Sequence, residues 1–95
     1  MDENQTEIVQ AFRDLGASVL HLHTVGMGAP DLCIGWQGRN LLVEVKDGEK
    51  IPSKRKLTEM ERRWHDAWKG QVAIVETVDD AMNLLGHVLV RGGIS

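Results

Sequence analysis

The sequence predicts an α/β fold, with a mixed four-stranded sheet flanked by helices in the order αβββαβα, in a single domain over residues 1–95. Three observations support this fold class. Apolar residues recur with helical spacing near the amino terminus, two strand-like segments flank a glycine-containing turn, and a capped helix separates that hairpin from a further apolar strand. A hairpin pairs strands antiparallel and a helical crossover pairs them parallel, so the sheet is mixed.

The first half of the chain supplies one helix and three strands. The apolar face of the helix contains Ile8, Val9, Phe12 and Leu15. Asn4 or Thr6 can cap this helix, and Gly16 ends it. Alternation and turn residues place the strands. The predicted bounds are 4–15 for the helix, 18–25, 31–37 and 41–46 for the strands, and 38–40 for the hairpin turn.

The second half begins with a polar, basic loop at residues 47–56. Thr58 and Glu61 have the spacing of a capping box, which predicts a helix that reaches about Trp68. The strand at 71–76 is apolar enough to be central in the sheet. Beyond it we expect a helix at 78–85, a marginal edge strand at 87–90 and a flexible tail that begins as early as residue 88.

The composition excludes several classes of protein. The single cysteine, Cys33, allows neither an internal disulfide nor zinc held by cysteines. No apolar stretch is long enough to span a bilayer, and the acidic, polar start is unlike a secretory signal. These features predict a cytoplasmic protein that does not enter a membrane.

The charges are unevenly distributed along the chain. The net charge is −3, but residues 50–69 hold seven of the eleven basic residues against three acidic ones, so this segment carries +4 and the remainder −7. Lys54, Arg55 and Lys56 are contiguous in the predicted loop. This run predicts contacts with the phosphates of DNA. The alternative is a solvated helix face with interspersed charges.

Asp31, after Pro30, and the strand containing Glu44 and Lys46 predict a catalytic metal site. Because strand side chains alternate, Glu44 and Lys46 share one face while Val45 points to the other. The hairpin brings Asp31 close to Glu44. Two carboxylates suit Mg²⁺, which keeps several waters as ligands, and an ammonium orients water or stabilises charge on a phosphate. These groups suit metal-assisted hydrolysis of a phosphodiester.

A set of short motifs in a fixed order carries a family resemblance. They are Gly28-Ala29-Pro30-Asp31, Leu42-Val43-Glu44-Val45-Lys46-Asp47-Gly48, Lys56-Leu57-Thr58, Trp64-His65 and Val78-Asp79-Asp80-Ala81-Met82. From about residue 4 to about residue 85 the chain resembles the PD-(D/E)XK nuclease superfamily, and more closely its small stand-alone VRR-NUC-like, Holliday-junction-resolvase-like members. The resemblance implies a restriction-endonuclease-like core and a DNA endonuclease that uses Mg²⁺, or Mn²⁺ in its place, with branched DNA as a possible substrate class.

The resemblance also implies roles for individual residues. Asp31, Glu44 and the backbone carbonyl of Val45 would bind the metal, and Lys46 would position or activate the attacking water. Family members often add a carboxylate from the first helix, where the candidates are Gln5, by position, and Glu7, by chemistry.

For several further residues the sequence allows more than one role. Glu61 lies about where relatives often have glutamine, but a role in the capping box explains it equally well. The histidines lack metal-ligand spacing and predict no metal site. Trp64 and Trp68, one helical turn apart, predict core packing or a dimer surface, and packing is also favoured for Trp36.

The small core and three tryptophans predict a homodimer, which would also allow both strands of a duplex to be cut. Two other functions remain as alternatives. They are a non-catalytic nucleic-acid-binding module and an accessory subunit of a DNA repair or restriction complex.

Overall fold

The computed structural model describes the backbone of residues 4–94, and the side chains of these residues except Lys54 and residues 87–94. The elements are α1 (Gln5–Asp14), β1 (Ser18–His21), β2 (Leu32–Trp36), β3 (Arg39–Val45), α2 (Pro52–Arg55), α3 (Glu59–Ala67), β4 (Val72–Val75) and α4 (Val78–Ile94). The predicted order αβββαβα is confirmed. The short helix α2 is an addition inside the segment predicted as a loop, and it starts at a proline, whose fixed φ suits the first turn of a helix.

The four strands form one mixed sheet in the order β1-β2-β3-β4. Strands β1, β2 and β3 pair antiparallel, and β4 pairs parallel with β3 after the α3 crossover. The prediction that the last strand is central is wrong, because β4 ends the strand order. Its apolar character reflects contact with the core through Val75, which is 1% exposed, rather than a strand on each side.

The hairpin turn consists of Gln37 and Gly38, which have φ of 52° and 74°. Two consecutive residues with positive φ are typical of the tight turn whose twist matches a hairpin. The turn therefore comes earlier than the predicted 38–40, and β3 starts at Arg39. Strand β1 is shorter than predicted, since it ends at His21 rather than at residue 25.

The end of the chain differs most from the expectation. Helix α4 continues to Ile94, so the predicted edge strand at 87–90 and the helix end at 85 are wrong. A short apolar run does not distinguish a strand from a helix by periodicity alone, and Gly86 is tolerated inside the helix. The tail from residue 88 is thus helical as far as Ile94, whereas Ser95 lies outside the described residues.

One face of the sheet carries the hydrophobic core. Helices α1 and α4 cover it, and Val43 and Val45 point into it as the alternation predicts. The core residues are Ile8, Val9, Phe12, Ala17, Leu32, Ile34, Leu41, Val43, Val45, Val75, Ala81 and Leu85. The half-buried Cys33 points to the opposite face, which Glu44 also occupies.

Helix α3 lies on that opposite face of the sheet and has no fully buried residue. The polar contacts described below hold it over β3. In the described part of the chain, no helix is long and apolar enough to cross a membrane.

Candidate active site at the end of the hairpin

Asp31 and Glu44 face each other across the hairpin. Leu32 pairs with Val43, so the next positions outward bring Asp31 opposite Glu44. The Asp31 carboxylate is fixed by the backbone, since the amide of Val45 donates a hydrogen bond of 2.8 Å to its Oδ2. The predicted meeting of these two carboxyl groups is therefore present in the structure.

Glu44 is almost fully buried. It is 2% exposed because α3 covers this part of the sheet. Burial, followed by the hydrogen bond and charge of Asp31, raises the pKa of Glu44 to about 10, and Lys46 only partly opposes this shift. Its Oε1 has no hydrogen-bond partner among the described residues.

These features fit a hard cation. A divalent cation would favour the ionised form of the buried Glu44 and would offset the negative charges of Asp31 and Glu44. Asp31 and Glu44 would hold Mg²⁺, which needs only one or two protein carboxylates together with water. No group of three or more His, Cys, Asp or Glu residues with metal-binding geometry occurs among the described residues. The carbonyl of Val45 as a further ligand stays a prediction.

Lys46 is held by Glu61. Its Nζ lies 2.7 Å from Glu61 Oε1, and the two side chains are 11% and 19% exposed. The same Oε1 accepts a hydrogen bond of 2.8 Å from the amide of Thr58, whose hydroxyl accepts one from the amide of Glu61. The predicted capping box is confirmed. Glu61 thus makes the capping box and also contacts Lys46, and its role in the function stays a prediction.

The electrostatics of Glu61 follow from these contacts. Burial acts to raise the pKa of this carboxyl group, but the hydrogen bonds from Lys46 and Thr58 outweigh it and the pKa lies below its ordinary value. A carboxylate that stays ionised keeps both the start of α3 and the Lys46 ammonium in place.

His65 is a site residue that the sequence reasoning missed. Its Nε2 lies 3.7 Å from Glu44 Oε1, the His65 side chain is 10% exposed, and neither atom has a hydrogen-bond partner among the described residues. Burial is the main reason that the pKa of His65 lies below its ordinary value. Two signals were available. His65 belongs to the Trp64-His65 motif, and it follows Glu61 by four residues and so shares its helix face.

The loop before Asp31 packs closely on α3. Gly28 has φ of +82°, and a Cβ there would lie 2.5 Å from the carbonyl oxygen of Met60. Only glycine fits this approach without strain. The contact fixes the distance between the Asp31 loop and the first turn of α3, where Glu61 lies.

We expect Gly28→Ala to lower the free energy of unfolding by about 1–3 kcal/mol more than Gly26→Ala does. Gly26 is the matched control, since its φ of +74° carries the same penalty for a side chain but nothing lies within 4 Å of its Cβ position. Urea unfolding monitored by circular dichroism measures both. Equal losses for the two variants would show that the loop does not pack tightly against α3.

The two first-helix candidates differ in their surroundings. Gln5 is 1% exposed, and neither atom of its amide group has a hydrogen-bond partner among the described residues. Glu7 lines a cleft of about 410 Å³ with Asp47 and Glu49. The start of α1 does reach the end of β3, because Asn4 Nδ2 donates to the carbonyl of Lys46 at 3.1 Å.

The predicted DNA-contacting residues have three different placements. The side chain of Lys54 lies outside the described residues, Lys56 is exposed, and Arg55 Nη1 contacts Glu76 Oε2 at 3.1 Å. On the outer surface of α3, Arg62 and Arg63 both pair with Glu59. Part of the positive charge of this segment is therefore balanced locally.

The tryptophans divide between packing and exposure. Trp36 packs against the core and its Nε1 donates a hydrogen bond of 3.2 Å to the carbonyl of Leu15. Trp64 and Trp68 do not belong to the core, so the core-packing alternative for this pair is wrong. Their rings stack with centroids 4.7 Å apart, and Trp68 is 45% exposed.

Comparison with known proteins identifies the fold. No protein-family model matches the chain, and no curated protein sequence matches it. A solved structure described as "VRR_NUC domain" matches with a TM-score of 0.65 and 27% sequence identity, over 87% of this chain and 90% of the other. The chain has a VRR-NUC-like nuclease fold, as the sequence motifs predict.

Proposed function

We propose that this chain, with its VRR-NUC-like nuclease fold, is a magnesium-dependent DNA endonuclease that hydrolyses phosphodiester bonds, and that Mn²⁺ substitutes for Mg²⁺. The observation that carries the proposal is the buried Glu44 carboxyl group beside Asp31, with Lys46 on the same strand face. A protein that only bound nucleic acid would gain nothing from burying a carboxyl group whose Oε1 has no hydrogen-bond partner among the described residues, since burial of an unpartnered polar group is costly.

Each residue has a part in the proposed mechanism. Asp31 and Glu44 would hold the metal, which would supply positive charge to offset these carboxylates and the phosphate of the substrate. Lys46, kept in place by Glu61, directs its ammonium at the attacking water and at the charge that develops on the phosphate.

Glu61 is a positioning residue for Lys46 in this mechanism. We expect Glu61→Gln to retain most of the stability and part of the activity, because an amide oxygen still accepts from both Thr58 and Lys46. Glu61→Ala should lower the free energy of unfolding by about 1 kcal/mol and lower kcat on the order of 10-fold or more.

Thr58→Ala is the matched control for the helix cap, since it removes the hydroxyl that Glu61's amide contacts and leaves the Lys46–Glu61 pair. Steady-state cleavage kinetics and urea unfolding separate the two effects. If Thr58→Ala and Glu61→Ala lower kcat equally, Glu61 serves only the cap.

The DNA would approach along the basic segment 50–69. We expect Lys54→Ala combined with Lys56→Ala to weaken binding of all DNA sequences alike. The slope of log K against the logarithm of the salt concentration should fall by the amount that corresponds to about two phosphate contacts. Arg55 is retained in this variant because of its contact with Glu76. Fluorescence anisotropy over a salt series measures the slope, with Arg13→Ala on α1 as the control, and an unchanged slope would show a merely solvated surface.

The deciding experiment incubates the purified protein with branched, flapped, single-stranded and linear DNA, with Mg²⁺, with Mn²⁺ and with a chelator. We expect cleavage only with a divalent metal, and branched DNA as a preferred substrate. Binding without cleavage under every condition would favour a non-catalytic module. The proposal includes a symmetric homodimer, which sedimentation of the same sample checks.

A further inference from the structure

Helix α3 presents an aromatic surface that the fold does not use. Met60, Trp64 and Trp68 follow one another at four-residue spacing, so they form one stripe along the helix. Met60 is 55% and Trp68 45% exposed, and the two indole rings are nearly parallel, with an interplanar angle of 17°. We call Trp64 and Trp68 the indole platform.

The indole platform is continuous with the candidate active site. The neighbouring stripe of α3 contains Glu61 and His65, which contact Lys46 and Glu44. The ring of Trp64 meets the ring of His65 edge-on at 5.8 Å. From Glu44 the side chains of His65, Trp64 and Trp68 therefore follow one another, and Trp68 is exposed at the surface.

The surroundings of the platform also suit a strand of nucleic acid. Residues 50–69 carry a net charge of +4, and the exposed Lys56 and Lys69 lie at either side of α3 in the sequence. Gly70 leaves room for the indole edge of Trp68, since a Cβ there would lie 2.9 Å from its Nε1. Stacking rings beside positive charge are how proteins bind single strands without reading their sequence.

We propose that the indole platform stacks an unpaired nucleobase of the DNA strand whose phosphodiester lies at Asp31 and Glu44. This inference rests on the proposed function and deepens it. A base held by Trp68 next to the scissile phosphate requires local unpairing, so the preferred substrates have single-stranded character beside the cut, as at flaps, junctions and gaps. An aromatic face accepts any of the bases, so the selection acts on DNA structure and not on sequence.

The test compares binding of a labelled short oligothymidylate with that of the same oligonucleotide carrying abasic sites, measured by fluorescence anisotropy in a chelator to prevent cleavage. The two probes have equal charge and differ only in the bases. We expect the wild-type protein to bind the abasic probe about tenfold more weakly. Trp68→Ala should abolish this difference, and Trp68→Phe should restore part of it because it retains an aromatic face.

Met82→Ala is the matched control, since Met82 is a similarly exposed apolar residue on α4, at 49%. If Trp68→Ala discriminates between the two probes as strongly as the wild-type protein does, the inference is wrong. If Trp68→Ala also sediments as a monomer where the wild-type protein sediments as a dimer, the platform contacts a second copy of the chain.

Cleavage assays on the same proteins separate this inference from the proposed function. If the wild-type protein cuts DNA but binds both probes equally, only the stacking platform is wrong. If it discriminates the probes but cuts no substrate with Mg²⁺ or Mn²⁺, the endonuclease proposal is wrong and a nucleobase-binding surface remains.

Discussion

Asp31→Asn, Glu44→Gln and Lys46→Ala should each lower the rate of DNA cleavage by on the order of 10²-fold or more. Asp31→Asn and Glu44→Gln each remove a negative charge from the pair that would hold the metal. Lys46→Ala removes the ammonium that Glu61 holds 2.7 Å away. Because these groups act on the same reacting phosphate, we expect double variants to lose little more activity than single ones.

Single-turnover cleavage of a labelled substrate measures these losses. Asp14→Asn is a control of the same chemistry, since Asp14 is an exposed α1 carboxylate whose contact is Gln10. Circular dichroism spectra should be unchanged, so that the loss is not one of folding. Full activity in Glu44→Gln would contradict the mechanism directly.

Divalent metal should stabilise the wild-type protein, and Glu44→Gln should abolish that response. A ligand present at about a hundred times its Kd adds about 2.7 kcal/mol to the free energy of unfolding. For a domain of this size, that gain corresponds to a rise in Tm of roughly 10 °C or more. This readout does not require DNA or turnover.

With metal we expect the wild-type protein to be more stable than Glu44→Gln, and in a chelator we expect the opposite order. Glu44→Gln should then unfold at a higher temperature than the wild-type protein, because a neutral amide replaces a buried carboxyl group that has an unpartnered oxygen and lies beside Asp31. Differential scanning calorimetry with Mg²⁺, with Mn²⁺ and with a chelator tests both parts. A wild-type Tm that does not respond to either metal would remove Asp31 and Glu44 as a metal site.

Local patterns in the sequence were sufficient for several features. Alternation along a strand put Glu44 and Lys46 on one face and Val43 and Val45 in the core, and the hairpin brought Asp31 to Glu44. The capping box depended only on residues three positions apart. Each of these predictions concerns backbone geometry within one element or one tight connection.

Other features depended on contacts between distant segments. The sequence did not show that β4 ends the sheet, that α4 continues to Ile94, or that α3 buries Glu44. Apolar runs such as 87–90 suit a helix or a strand equally, and the choice depends on what packs against them.

The sequence alone therefore determined the order of the elements and the group of Asp31, Glu44 and Lys46, because strand period and hairpin pairing are short-range consequences of backbone geometry. Only the tertiary structure decided that Glu61 reaches Lys46, that His65 lies beside Glu44 and that Trp68 remains exposed. Those contacts depend on how α3 is placed and rotated over the sheet. The Lys46–Glu61 contact and the close approach of Gly28 to Met60 both contribute to that placement, and no periodicity within α3 encodes it.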